Sequence, residues 1–98
     1  MSVVVSGTTV RQSVLVVDDS NLLRGILREE LEAEGFDVHL AEDGPQALEM
    51  ARDLRPDVIL LDIGLPGMDG YEVCRQVKAA AATAETPVLM ITARNKPQ

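Results

Sequence analysis

Val14-Leu15-Val16-Val17-Asp18-Asp19-Ser20 is an unbroken apolar run stopped by two acids and a serine. Three of its four apolar residues are β-branched, and none alternates with a polar one. Such a run reads as a strand buried on both faces, the situation of a parallel sheet. Ser20 is a good helix N-cap. Beyond it Leu23, Ile26, Leu27 and Leu31 recur at helical spacing, and Gly35 can close that helix.

The same grammar repeats along the chain. Phe36-Asp37-Val38-His39-Leu40 alternates, as a half-buried edge strand does. Asp43 and Gln46 have capping-box spacing, Pro45 suits a first turn, and Ala47, Leu48, Ala51 and Leu54 give an apolar face. Arg55-Pro56 ends this second helix. Val58-Ile59-Leu60-Leu61 is a second fully apolar run with Asp62 directly after it. Gly64-Leu65-Pro66-Gly67-Met68 reads as a loop. Asp69 and Glu72 again have capping-box spacing, before a third helix that buries Val73, Cys74 and Val77 and fades through Ala79–Ala82. Pro87 precedes a last strand, Val88-Leu89-Met90-Ile91, with Thr92 at its end. The order β-α-β-α-β-α-β predicts a parallel sheet with right-handed crossovers and helices on both faces. Residues 1–12 show no periodicity and read as a flexible extension to a domain spanning 13–98. The alternative for Val3–Val5 is pairing with an open sheet edge.

Composition narrows the function classes. The chain has 98 residues, 46% of them hydrophobic, which suits one globular domain. Its aromatics are Phe36 and Tyr71 alone, so aliphatic side chains must fill the core. A net charge of −7 disfavours direct nucleic-acid binding. No apolar run approaches the roughly 20 residues of a membrane span, and Met1–Val5 is too short for a signal peptide. One cysteine, Cys74, excludes an internal disulfide. The expected setting is the cytoplasm.

Three strands end in a polar residue: Asp18-Asp19, Asp62 and Thr92. In open α/β sheets the ligand crevice lies beyond the carboxyl ends of the strands. These residues can therefore converge from positions far apart in the chain. Three close carboxylates need a cation, a shared proton or a basic partner. Oxygen donors favour a hard divalent ion, Mg²⁺ above all, with Mn²⁺ as an alternative. A carboxylate beside such an ion can attack phosphorus and form an aspartyl phosphate. The Thr92 hydroxyl could then bond the phosphoryl oxygens, and the small Ala93 leaves room for the group.

Val14–Thr92 resembles the receiver domain of two-component response regulators. The resemblance rests on Val-Leu-Val-Val-Asp-Asp-Ser, Asp-Gly-Pro-Gln-Ala-Leu, Pro-Asp-Val-Ile-Leu-Leu-Asp-Ile-Gly-Leu-Pro-Gly-Met-Asp-Gly and Pro-Val-Leu-Met-Ile-Thr-Ala. It implies a flavodoxin-like three-layer sandwich. By position it makes Asp62 the phosphoacceptor, Asp19 a direct Mg²⁺ ligand, and Asp18 its neighbour acting through water. Gly64 supplies a metal-binding backbone carbonyl, Thr92 the switch hydroxyl, and Arg94 a position that affects attacking water. The implied partners are a histidine kinase or phosphotransfer protein, which the first helix meets near Leu23 and Ile26. The implied role is that of a phosphoacceptor, not an enzyme with turnover.

The family's sheet has five strands, whereas this sequence supplies four, with three helices. The last helix-strand-helix of the family is not matched, and with it the lysine that ends the fifth strand. Lys96-Pro97 looks like the family's lysine-proline pair, but it stands only four residues beyond Thr92 and is treated as coincidental. An open edge at Val88–Ile91 then predicts homodimerisation or element exchange. Two other functions stay open: an interaction module that does not use phosphate, and a Mg²⁺-dependent phosphatase with Asp62 as nucleophile. That phosphatase class places a second acid where Gly64 stands here. His39 reads as a surface or half-buried side chain and Cys74 as a buried one.

Overall fold

The computed structural model describes residues 2–5 and 8–91. The chain opens with β1 (Ser2–Val5) and β2 (Thr8–Arg11), an antiparallel pair in which Ser2 faces Arg11 and Val5 faces Thr8. The described residues of the expected flexible extension thus pair with each other as strands. The physical reason is legible afterwards: two β-branched runs are separated by two residues, Ser6-Gly7, which is hairpin spacing. The pair forms a sheet of its own, so Val3–Val5 do not extend the main one.

The main sheet holds β3 (Ser13–Val17), β4 (Asp37–Ala41), β5 (Val58–Asp62) and β6 (Val88–Ile91). Its spatial order is β4-β3-β5-β6, and every pairing is parallel. Three helices make the crossovers: α1 (Asn21–Ala33), α2 (Gly44–Leu54) and α3 (Gly70–Ala79). The chain winds outward from β3 to β4, then crosses back to β5 and on to β6. Right-handed crossovers therefore put α1 on one face of the sheet and α2 and α3 on the other.

Alternation along the strands fits this arrangement. Leu15, Val17, Ala41, Ile59 and Leu61 join Ala47 and Ala51 of α2 and Val73 and Val77 of α3 in one buried cluster. Val14 and Val16, of opposite parity, are buried on the α1 side. Every residue of β3 from Val14 to Val17 is buried, as its unbroken apolar run predicts. The α1 face is more open. No α1 residue is fully buried, Ile26 is 48% exposed, and Leu89 of β6 is 55% exposed. Ile26 is thus a surface residue, although it lies in the helical repeat.

Local sequence explains where each helix begins and ends. The Ser20 hydroxyl accepts the Leu23 N–H at 3.2 Å. At the other end of α1, the Gly35 N–H reaches Glu32 O and the Phe36 N–H reaches Leu31 O, a Schellman motif. That motif requires Gly35 at φ 96°, where a side chain would be strained. The Asp43 carboxylate accepts the Gln46 N–H at 2.9 Å, but the Gln46 amide oxygen reaches back to the Glu42 N–H rather than to Asp43. Asp69 caps α3 through the Glu72 N–H at 2.9 Å. The Glu72 carboxylate turns forward, to Arg75 and to Gln76 at 2.8 Å, so this box closes on one side only.

Far from the strand ends that carry the acids, Ser13 and Asp57 clasp β3 to the start of β5. The Ser13 N–H donates to Asp57 Oδ2 at 2.7 Å, and the Asp57 N–H donates to Ser13 O at 2.9 Å. Asp57→Ala keeps the backbone bond but loses the carboxylate one, an expected cost of about 1 kcal/mol read by urea denaturation. A second prediction concerns acid. The Arg75 hydrogen bond, helped by Gln76, lowers the Glu72 pKa from 4.5 to about 2. A lowered carboxyl pKa stabilises the fold above 4.5, and this contribution is lost as pH falls toward 2. The Tm advantage of wild type over Glu72→Gln should therefore shrink across that window.

Candidate functional site

The winding direction reverses between β3 and β5, which is where an open α/β sheet forms its crevice. Both strands end in acid there. Val17 pairs with Leu61, so Asp18 and Asp62 leave their strands at the same level. Asp18 and Asp62 are 1% and 2% exposed, while Asp19 faces solvent. One carboxylate oxygen from each of the three lies within 4.8 Å of the others.

Hydrogen bonds hold this cluster in shape. The Asp18 N–H donates to Ala41 O at 3.1 Å, extending the β3–β4 ladder by one residue. Asp18 Oδ1 accepts the Ser20 N–H at 2.8 Å, and Arg24 Nη1 donates to Asp18 O at 2.6 Å. The Asp18-Asp19 turn is thus pinned from both sides, which aims Asp19 at its neighbours. Asp62 Oδ1 accepts the Gly64 N–H at 3.0 Å, fixing the rotation of that carboxylate. The Ile63 N–H donates to Ile91 O at 3.1 Å and ties the same turn to β6.

The residues present fit a small hard cation. Two unit charges 4 Å apart repel by about 4 kcal/mol at an effective dielectric constant of 20. Two of these three acids are buried, so a divalent cation would relieve a substantial repulsion. Mg²⁺ takes oxygen ligands at about 2.1 Å, which sets opposite ligands about 4.2 Å apart. The three oxygens lie within 4.8 Å of one another, close to that spacing. The donor chemistry, all carboxylate oxygen, suits Mg²⁺ rather than zinc or copper.

The structure brings Asp18, Asp19 and Asp62 together as the strand pattern predicts, and sets Gly64 on the turn beside them. Thr92, Ala93, Arg94, Lys96 and Pro97 lie outside the described residues. Ile91, just before Thr92, pairs with Asp62. Arg24 is a contributor that sequence reasoning missed. Its only signal is its place one turn after the Ser20 cap, from which a long side chain can reach back to the strand end. His39, on β4, and Cys74, on α3, are both half-buried and are not among the clustered acids.

A family profile for the response regulator receiver domain matches residues 14–98. The chain belongs to that family. The DNA-binding response regulator MtrA of Mycobacterium tuberculosis is 48% identical over 86 residues, covering 88% of this chain and 36% of the relative. Response regulator MprA of a Mycobacterium species is 43% identical, covering 84% of this chain and 35% of the relative. This receiver therefore spans about a third of the curated relatives it matches. Among solved structures, the chemotaxis protein CheY4 of Vibrio cholerae superposes with a TM-score of 0.82 at 36% identity, covering 90% of this chain and 73% of that one. The receiver domain of the sensor histidine kinase PA1611 of Pseudomonas aeruginosa gives 0.81 at 33% identity, covering 87% and 70%, and holds a magnesium ion in its active-site cleft. The likeness to these receivers shows the flavodoxin-like fold expected above. No helix among the described residues is long and apolar enough to cross a membrane.

Charge crowding makes a metal prediction. Mg²⁺ should raise the Tm of this receiver in a concentration-dependent way, and a chelator should reverse it. At one hundred times its Kd the ion should add about 2.7 kcal/mol. Asp19→Asn should show a much weaker dependence, read by calorimetric melts across a Mg²⁺ series.

Proposed function

We propose that this receiver accepts a phosphoryl group on Asp62, donated by the phosphohistidine of a histidine kinase or phosphotransfer protein, with Mg²⁺ in the acid cluster. The observation that carries this reading is the meeting of Asp18, Asp19 and Asp62 at the switch point of the sheet. Asp19, Asp62 and the Gly64 carbonyl would hold the ion, with Asp18 acting through a bridging water. The bound ion would supply charge neutralisation for the phosphoryl oxygens.

The chain's own residues do the rest. One carboxylate oxygen of Asp62 attacks phosphorus in line with the leaving nitrogen. The O–P bond forms as the P–N bond breaks, and the imidazole leaves as the neutral base once it has taken a proton. The Gly64 N–H holds the Asp62 carboxylate so that it need not be oriented during the reaction. Burial keeps bulk water away from that carboxylate. The Thr92 hydroxyl would bond a phosphoryl oxygen, with Ala93 leaving it space. The role is stoichiometric acceptance rather than turnover. With a charge of −7, these 98 residues are poorly suited to touch nucleic acid themselves.

Self-association through β6 is a second reading, favoured by the exposure of Leu89 on a strand that pairs on one side only among the described residues. Elution volume with and without a phosphodonor separates it from the first.

The deciding experiment is intact-protein mass after incubation with Mg²⁺ and acetyl phosphate. Wild type should gain one phosphoryl group, and Asp62→Asn none. A gain that survives in Asp62→Asn would mean another residue is the acceptor. No gain in folded wild type would leave the association reading in its place.

A further inference from the structure

Gly70 is the first residue of α3, and nothing about its backbone explains a glycine there. Its φ is not positive, unlike those of Gly35 and Gly67. In a helix, glycine is less favourable than alanine by about 1 kcal/mol. The explanation lies in what a side chain would meet. A Cβ at Gly70 would stand 2.7 Å from the Asp62 carbonyl oxygen, 2.7 Å from Ile63 Cα and 3.3 Å from the Asp62 carbonyl carbon. All three are backbone atoms, so no side-chain rotation can relieve the contact. Either the start of α3 moves away or the last peptide of β5 moves.

Two other glycines calibrate this. A Cβ at Gly44 would meet Met68 Cβ, Met68 Sδ and Val73 Cγ2 at 3.0 Å, all of them side-chain atoms. A Cβ at Gly25 would meet nothing within 4 Å. Only the Gly70 contact falls on the peptide that carries the acceptor carboxylate. That peptide belongs to the turn in which the Gly64 N–H holds Asp62 Oδ1. The Gly70 N–H also points to Ile63 O at 3.4 Å, so helix start and turn are in register with each other.

We infer that Gly70 is a positioning residue for Asp62: its missing side chain lets the N-terminus of α3 seat against the acceptor's own peptide and so sets where the carboxylate stands. The inference rests on Asp62 as the phosphoacceptor. A shift of a few tenths of an ångström at a reacting group is costly, since about 1 Å can cost a factor of about 10².

The test compares wild type, Gly70→Ala and Val73→Ala with saturating Mg²⁺ and acetyl phosphate, at a temperature where circular dichroism shows each folded. Val73→Ala weakens the packing of α3 in the buried cluster and keeps the glycine at position 70. Gly70→Ala should slow phosphorylation about tenfold or more, while Val73→Ala stays within about twofold of wild type. Equal rates in the two variants would show that Gly70 matters only for stability and would overturn the inference. If Gly70→Ala does not fold, wild-type NMR decides. The Gly70 amide signal should move on Mg²⁺ saturation while Gly35, at the far end of α1, stays still. A Gly70 signal that does not move sinks the idea. If wild type takes no phosphoryl group, the proposed function has failed separately, and the same NMR experiment judges the coupling alone.

Discussion

The parallel register of β3 on β5 is the constraint on which the site depends. Val14 through Val17 pair with Val58 through Leu61, and this pairing is what sets Asp18 level with Asp62. Slipping the register by one residue would turn Leu15 and Val17, which belong to the buried cluster, toward the other face. The burial of hydrophobic side chains therefore locates the acids as firmly as any contact between the acids themselves. The Ser13–Asp57 clasp at the opposite end opposes the same slip with polar bonds.

Seen this way, the chain separates two tasks. Uncharged surface in the middle of the sheet supplies stability, and the carboxyl ends of the strands hold groups that repel one another. Crowded buried acids weaken a fold unless a cation joins them. Here that cost falls on turns secured by the Ser20 and Gly64 N–H groups, which bond the Asp18 and Asp62 carboxylates, and by Arg24, which bonds the Asp18 carbonyl.

Much of this was legible in the residues. Unbroken apolar runs at Val14–Val17 and Val58–Leu61 announced doubly covered strands, and the acids after them announced the site. Helix ends were legible because Ser20, Asp43 and Asp69 cap by local chemistry. The pairing of Ser2–Val5 with Thr8–Arg11 was not, since two short runs with no long-range period look like a tail until they are paired with each other. The exposure of Ile26 does not follow from helical spacing alone, which gives a stripe but not the width of sheet beneath it. Gly70 was silent for a deeper reason. A glycine chosen for what lies 2.7 Å away leaves no trace in spacing or periodicity.

The distance along the chain between Ser13 and Asp57, 44 residues, carries a kinetic consequence. The central strand pair cannot form until β4 and α2 have already been laid down or looped out, and closing so long a loop costs entropy before it is rewarded. During synthesis, Asp18 and Asp19 leave the ribosome well ahead of their third partner. No nascent chain shorter than Asp62 can hold the ion by this geometry. Any metal affinity of the acid cluster would thus report on the pairing of β3 with β5, present only after those two strands have found each other.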